Sequence, residues 1–369
     1  MADFTLATAS QRKEWSNKAH MEYVRRSRFA KFINNSTNAI FQGYTDLEKR
    51  AGDTLNIPLF YKLGGAPVTG ETPIVGNETP LDNFNCGVPV ALRGKGVAIT
   101  KNQSFRTEMD VMNAAKESLT RYFGELLRDD IIEALGSVVT TGDTTVNYGA
   151  ATTANRNAYS AANQDRLFFG TVAGYSATWA TALGNVDAGE TCTAARMSVV
   201  KRLALAASPA INPYQVNDDM GQEYFIAFHG SRTFRDLTND SAVLNANREA
   251  RAREGNGMDS NPIFQSGDII YDGVIHREVP EIDAWAAANG LNTAGGSSAP
   301  IRPVYLCGTQ SVFIAYSQRP QAGTEKSDIP TLNRRMTVGM DEIIGVKKAA
   351  FNGKAHGVVT AFFGAAADA

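Results

Sequence analysis

Between Gly52 and Lys101, two alternating apolar stretches flank a segment that has no means of burying itself. GDTLNIPLFYKL places Leu55, Ile57, Leu59 and Tyr61 on one side, the period-two pattern of a half-buried strand. GVPVALRGKGVAITK alternates again through Val88, Val90 and Leu92, with Val97 and Ile99 after a Gly-Lys-Gly break. The tip between them, Gly64 to Asn85, is dense in Gly, Pro, Thr and Asn, and a connection of about twenty residues excludes a tight hairpin. Long loops without secondary structure are usually functional or mobile. With little core of its own, this one is expected to lie on another surface, that of a second chain included.

A long amphipathic helix is expected next. Thr107 with Asp110 three residues on resembles a capping arrangement, and Glu108 and Asp110 complement the positive end of the helix dipole. Val111, Ala115, Leu119, Tyr122 and Leu126 form one apolar stripe, flanked by Phe123, Leu127, Ile131 and Leu135, and Gly136 supplies the stop. Such a helix is roughly 40 Å long.

The remaining chain reads as a mixture of elements. Arg12 to Lys31 is a basic helix or arm, a solvated face or an extension over a neighbouring subunit or DNA. Residues 137–192 are rich in Thr, Ala, Asn and Gly and are read as an irregular excursion, an inserted surface loop with short strands. A helix is expected over Ala194–Ala207, stopped by Pro209, and a short buried strand over Glu223–Phe228. Ser231 is expected to cap a further helix. Gly267–Ile282 reads as two strands about an Asp272-Gly273 turn. Val304–Cys307 is a strand, Ser311–Tyr316 a helix, and Arg335–Phe351 and Gly357–Phe363 closing strands. This order argues an α+β fold and not a doubly wound sheet.

Little in the chain points to catalysis. No GxxxxGK[ST] loop occurs: around Gly94-Lys95, Pro89 replaces the earlier glycine and Gly96 follows the lysine. No HxxxH, HExxH, CxxC or GxSxG spacing exists. Asp129-Asp130 and Asp218-Asp219 are adjacent carboxylates, but neighbouring helix residues point to different faces. His276 reads as a packed strand residue. The expectation is therefore no catalytic residue, no cofactor site and no metal site. Cys86, Cys192 and Cys307 are too few and too irregular for a disulfide framework, which fits a reducing compartment. No signal-peptide pattern is read at the N-terminus. The apolar runs Leu203–Ile211 and Val358–Ala367 are about half the ~20 residues a spanning helix needs, so no membrane association is expected. A net charge of −2 gives no general attraction to nucleic acid.

DLEKRAGDTLNIPLFYKL, VTGETPIVGNETPL, SFRTEMDVMNAAKESLTRYFGELLRDDIIEAL, NPIFQSGDIIYDGVIHREVPEI and VYLCGTQSVFIAYSQRP together resemble one family of tailed-bacteriophage major capsid proteins. Their order resembles the Hong Kong 97 capsid fold. The resemblance implies an N-terminal arm over residues 1–50, an extended E-loop over 51–105 and a P-domain spine helix over 106–136. It implies an A-domain with a variable insertion over 137–256, P-domain strands at 257–282 and 335–350, A-domain chain at 283–334, and a C-terminal A-domain strand at 351–369. The implied function is self-assembly, as hexamers and pentamers, into an icosahedral head that encloses double-stranded DNA and is assembled in the bacterial cytoplasm. Implied partners are a scaffolding protein, a portal, a decoration protein, and packaged DNA touched without sequence preference. Some shells of this fold join an E-loop lysine to a neighbour's asparagine. Lys62, Lys95 and Lys101 lie in the strand stems by this reading and the tip carries no lysine, so a non-covalent shell is expected. The alternatives are an encapsulin-type compartment, an enzyme with an unrecognised site, and a tail protein.

Overall fold

The computed structural model describes residues 29–48, 52–60, 67–70, 74–75, 78, 81, 83–100, 102, 111–217, 221–250, 264–265, 268–326 and 335–366. In chain order the elements used below are β1 (Phe41–Tyr44), β2 (Thr54–Phe60), β3 (Asn83–Pro89), β4 (Ala91–Thr100) and α1 (Val111–Gly136). Then come α2 (Thr153–Ala162), β5 (Leu167–Phe169), α3 (Trp179–Gly184), α4 (Ala194–Ala206) and β6 (Tyr214–Asn217). β7 (Gln222–His229), α5 (Ser231–Thr238), α6 (Ser241–Ala250), β8 (Asp268–Tyr271), β9 (Val274–Glu278) and α7 (Glu281–Ala288) follow. The chain closes with β10 (Ile301–Cys307), β11 (Val312–Lys326), β12 (Arg335–Lys348) and β13 (Val358–Gly364).

The chain divides into two compact units. Among the described residues, the smaller comprises 92–100, 102, 111–127, 318–326 and 335–343. Its core is one face of α1 against strands: Ala115, Leu119 and Phe123, spaced by four, meet Ile99, Val338 and Met340, with Val111 and Leu126 half-buried beside them. Tyr122 is not part of that stripe. It is exposed, with the Lys95 ammonium 4.2 Å from its ring centroid. The Thr107 cap lies outside the described residues. Arg93 Nε donates to Glu342 Oε1 at 2.7 Å and ties β4 to β12.

The larger unit is built on a mixed sheet that runs in the order β8, β9, β7, β10, β13, β5, with the two-residue strand Phe264–Gln265 beside β8 and β6 paired to β7. β7 is parallel to β9 and antiparallel to β10, and β5 is parallel to β13. Every residue of β10 and β13 is buried, which requires cover on both faces. On one face Val304, Leu306, Val359, Ala361 and Phe363 pack against Met197, Val200 and Ala204 of α4 and Leu237 of α5. On the other, Ile301 and Phe362 meet Tyr148, Tyr159, Trp179 and Leu183.

That second layer corrects the sequence reading of 137–192. The segment is no surface excursion: α2, β5 and α3 carry buried aromatic rings, with Phe169 stacked on Phe362 at 5.2 Å between centroids. The Thr- and Asn-rich stretches between them disguise how much apolar surface they bring. Three local expectations also change. VFIAY at 312–316 is strand, not helix, because each side chain has a buried neighbour on its own face of the sheet. Gly230, not Ser231, is the N-cap of α5, and Asp283 Oδ2 of α7 accepts from Arg232 N at 3.3 Å. The stretch from Gly87 to Thr100 is two strands, β3 paired with β2 and β4 in another sheet. The Asp272-Gly273 turn is present, both residues having positive φ. The strands it joins lie in one sheet with β7 and β10, so sheet membership crosses the sequence division at residues 257 and 282.

Candidate assembly surface

The feature that opened the sequence reading is a real hairpin. β2 and β3 pair antiparallel from Thr54↔Pro89 to Phe60↔Asn83, closed by 61–82. Leu55, Ile57 and Leu59 point inward at alternate positions and, with Phe84, Cys86 and Val88, pack on Phe313, Ala315, Ala349 and Phe351 of the larger unit. Burial pushes the Cys86 thiol pKa up, so it behaves as a small apolar group. Lys347 Nζ donates to the carbonyls of Gly87 at 2.7 Å and Asp143 at 2.8 Å, pinning the stem from β12. At Gly345 a Cβ would lie 2.1 Å from the Pro89 carbonyl oxygen, so only glycine permits β12 to approach the stem.

The stem thus has its own core, as the period-two pattern of its strands requires. The tip has none among its described residues. Ile74 is 71% exposed, Val75 83% and Leu81 54%, and Phe60 and Val68 are exposed as well. Ile74 and Val75 are adjacent in sequence, and contiguous apolar side chains exposed to water mark a surface meant to be covered.

Other residues singled out in the sequence fall elsewhere. Lys62, Lys101, Asp218 and Asp219 lie outside the described residues. Asp129 is exposed and paired with Arg128. Cys86, Cys192 and Cys307 are buried thiols that form no disulfide. Among the described residues, no group of three or more His, Cys, Asp or Glu is placed to hold a metal ion, and no helix is long and apolar enough to cross a membrane. His229 and His276, 47 positions apart, are brought to 2.9 Å between Nε2 and Nδ1. No sequence signal could have found that pair, because parallel strands align through the fold and not through local spacing.

A long helix, a packed hairpin with exposed apolar residues in its connecting segment and a mixed-sheet body define a shell-building subunit of the Hong Kong 97 type. The sequence profile of the phage capsid protein family matches residues 3–361, and the chain belongs to that family. It is 83% identical to a chain of the cyanophage Pam1 capsid asymmetric unit, covering all of both chains with a TM-score of 0.92. The capsid of Ralstonia phage GP4 matches at 21% identity over all of both chains, TM-score 0.72. That of Helicobacter pylori bacteriophage KHP30 matches at 13% identity over 96% of this chain and 95% of the other, TM-score 0.65. No curated protein matches. The protein is a structural subunit of a phage virion capsid, assembled from repeated copies.

Proposed function

We propose that this chain is the repeating unit of an icosahedral head around double-stranded DNA, with hexamers and pentamers joined by hairpin tips laid on neighbouring copies. The observation that carries the reading is the contrast within one hairpin: a stem buried in its own subunit and a tip with exposed Ile74, Val75 and Leu81. Covering such side chains is worth roughly 25 cal/mol per Å² of apolar area, and repetition over several neighbours sums modest contacts into a shell. A net charge of −2 fits an inner surface that meets packaged DNA without sequence readout.

The division into arm, E-loop, spine and A-domain belongs to this reading, as do a scaffolding protein, a portal, a decoration protein and assembly in the host cytoplasm. So does the absence of catalysis, cofactor and metal. Electron microscopy of the purified protein, alone and with a co-expressed scaffold, tests the proposal. Closed shells or capsomers are expected. A monodisperse monomer under every assembly condition overturns it.

A further inference from the structure

His229 ends β7 and His276 sits within β9, and these strands run parallel with Ala227 opposite His276. Both imidazoles therefore stand on one face of the sheet, 0% and 1% exposed, with ring centroids 5.0 Å apart. That face is the one covered by α4, α5 and α6. Beyond His229 lies Cys192, its sulfur 4.0 Å from Nδ1, and the Phe234 ring is 6.2 Å away. Burial raises the Cys192 pKa, so the thiol offers no anion to a charged ring.

The charged groups around the pair are largely committed elsewhere. Asp268 of β8 takes a two-pronged grip from Arg277 of β9. Asp272, at the turn, accepts from Lys201 of α4 at 3.1 Å. Asp236 of α5 pairs with Arg235, and Asp240 accepts from the Ala194 and Ala242 amides. Arg196 of α4 donates to the Thr191 carbonyl. Glu278 of β9 is opposite His229 in register and half-exposed. From β10, Val304 and Leu306 supply apolar surface to this face, and the buried Arg302 two positions before Val304 pairs with Asp283 of α7 at 3.1 Å. Burial, then the neighbouring His276, hold the His229 pKa well below the usual range. Burial lowers that of His276 to about 3, opposed by Asp272.

Proton counting then sets a limit. The 2.9 Å contact needs one nitrogen with a hydrogen and one without. A first added proton fits on an outward nitrogen and leaves the shared bond intact. A second places two N–H groups head to head and two like charges in an apolar layer, which the geometry cannot hold.

We propose that His229 and His276 form an acid-sensitive latch at the contact of the mixed sheet with the α4–α6 layer, which stays closed while the pair is neutral and opens to hydrate the rings when both are protonated. The idea concerns the subunit core and is independent of how copies assemble. Because each ring binds its proton more readily when released, the equilibrium constant for opening rises about tenfold per pH unit for each histidine below ~6.5.

Deuterium exchange on purified particles between pH 7 and 5 tests this, read as protection factors for amides in α4 and α5. Below pH 6 the wild type is expected to lose about a hundredfold per pH unit, His276→Gln about tenfold, and the His229→Gln/His276→Gln double variant almost nothing. His356, whose ring packs 5.3 Å from that of Phe351 and away from the pair, serves as the control, and His356→Gln should retain the full wild-type dependence. Wild-type protection indifferent to pH, or a double variant with the wild-type slope, overturns the latch. Exchange of the imidazole C2 protons gives a readout on unmodified protein, and ordinary titration of both rings near pH 6.5 overturns it equally.

Discussion

Two glycines of α1 show how a single atom is decided by its surroundings. At Gly136 a Cβ would fall 2.1 Å from the Trp285 ring, whose Nε1 donates to Glu133 Oε2 at 2.6 Å and cannot retreat cheaply. At Gly124 the same atom meets nothing within 4 Å. Gly136→Ala should therefore destabilise by about 1–3 kcal/mol through overpacking, while Gly124→Ala stabilises by about 0.5–1 kcal/mol through backbone entropy. Urea unfolding of the two variants measures both signs. Lys348 offers a pH test. Its side chain is buried and donates to the Ser137 carbonyl at 2.7 Å, and burial lowers its pKa to about 7. Unfolded lysine titrates near 10.4, so between about pH 7 and 10 the unfolded state holds the extra proton and stability rises with pH. Below pH 7 this contribution is flat. Lys348→Met should remove the rise relative to wild type, measured by thermal unfolding at pH 7, 8 and 9.

At the scale of elements, the hairpin and the helix face should respond differently to damage. Phe123 is buried among Ile99, Leu119 and Met340, so Phe123→Ala should cost about 3–5 kcal/mol. Replacing 64–82 by a short linker leaves β2, β3 and their contacts with Phe313 and Phe351 in place. That deletion should yield a folded subunit with wild-type circular dichroism that forms no shells. If it unfolds as thoroughly as the core variant, the tip packs within its own chain and the interface reading fails.

For the whole molecule the question is whether shell contacts become covalent. Lys95 is engaged over the Tyr122 ring and the described tip residues include no lysine, while Cys86, Cys192 and Cys307 are buried. Particles boiled in detergent with reductant should give one band near 39.7 kDa on a denaturing gel. A ladder of multimers would place a crosslink between copies.

Much of this architecture was legible from local patterns. The alternation of Leu55, Ile57 and Leu59, the helix around Leu119, the helix after Thr193 and the Asp272-Gly273 turn all follow from periodicity and backbone preference, properties short stretches carry by themselves. The exposure of Ile74, Val75 and Leu81 was legible too, because a segment without apolar periodicity cannot build a core. Other features waited on tertiary structure. VFIAY became strand when buried neighbours appeared on both faces, and 137–192 became core because its scattered rings converge on Phe362. Asp283 caps α5 from another helix, and His229 meets His276 across parallel strands. In each case the deciding partner lies tens of residues away in sequence. Short-range preference sets which elements can form, and the burial and register of distant neighbours decide what those elements become.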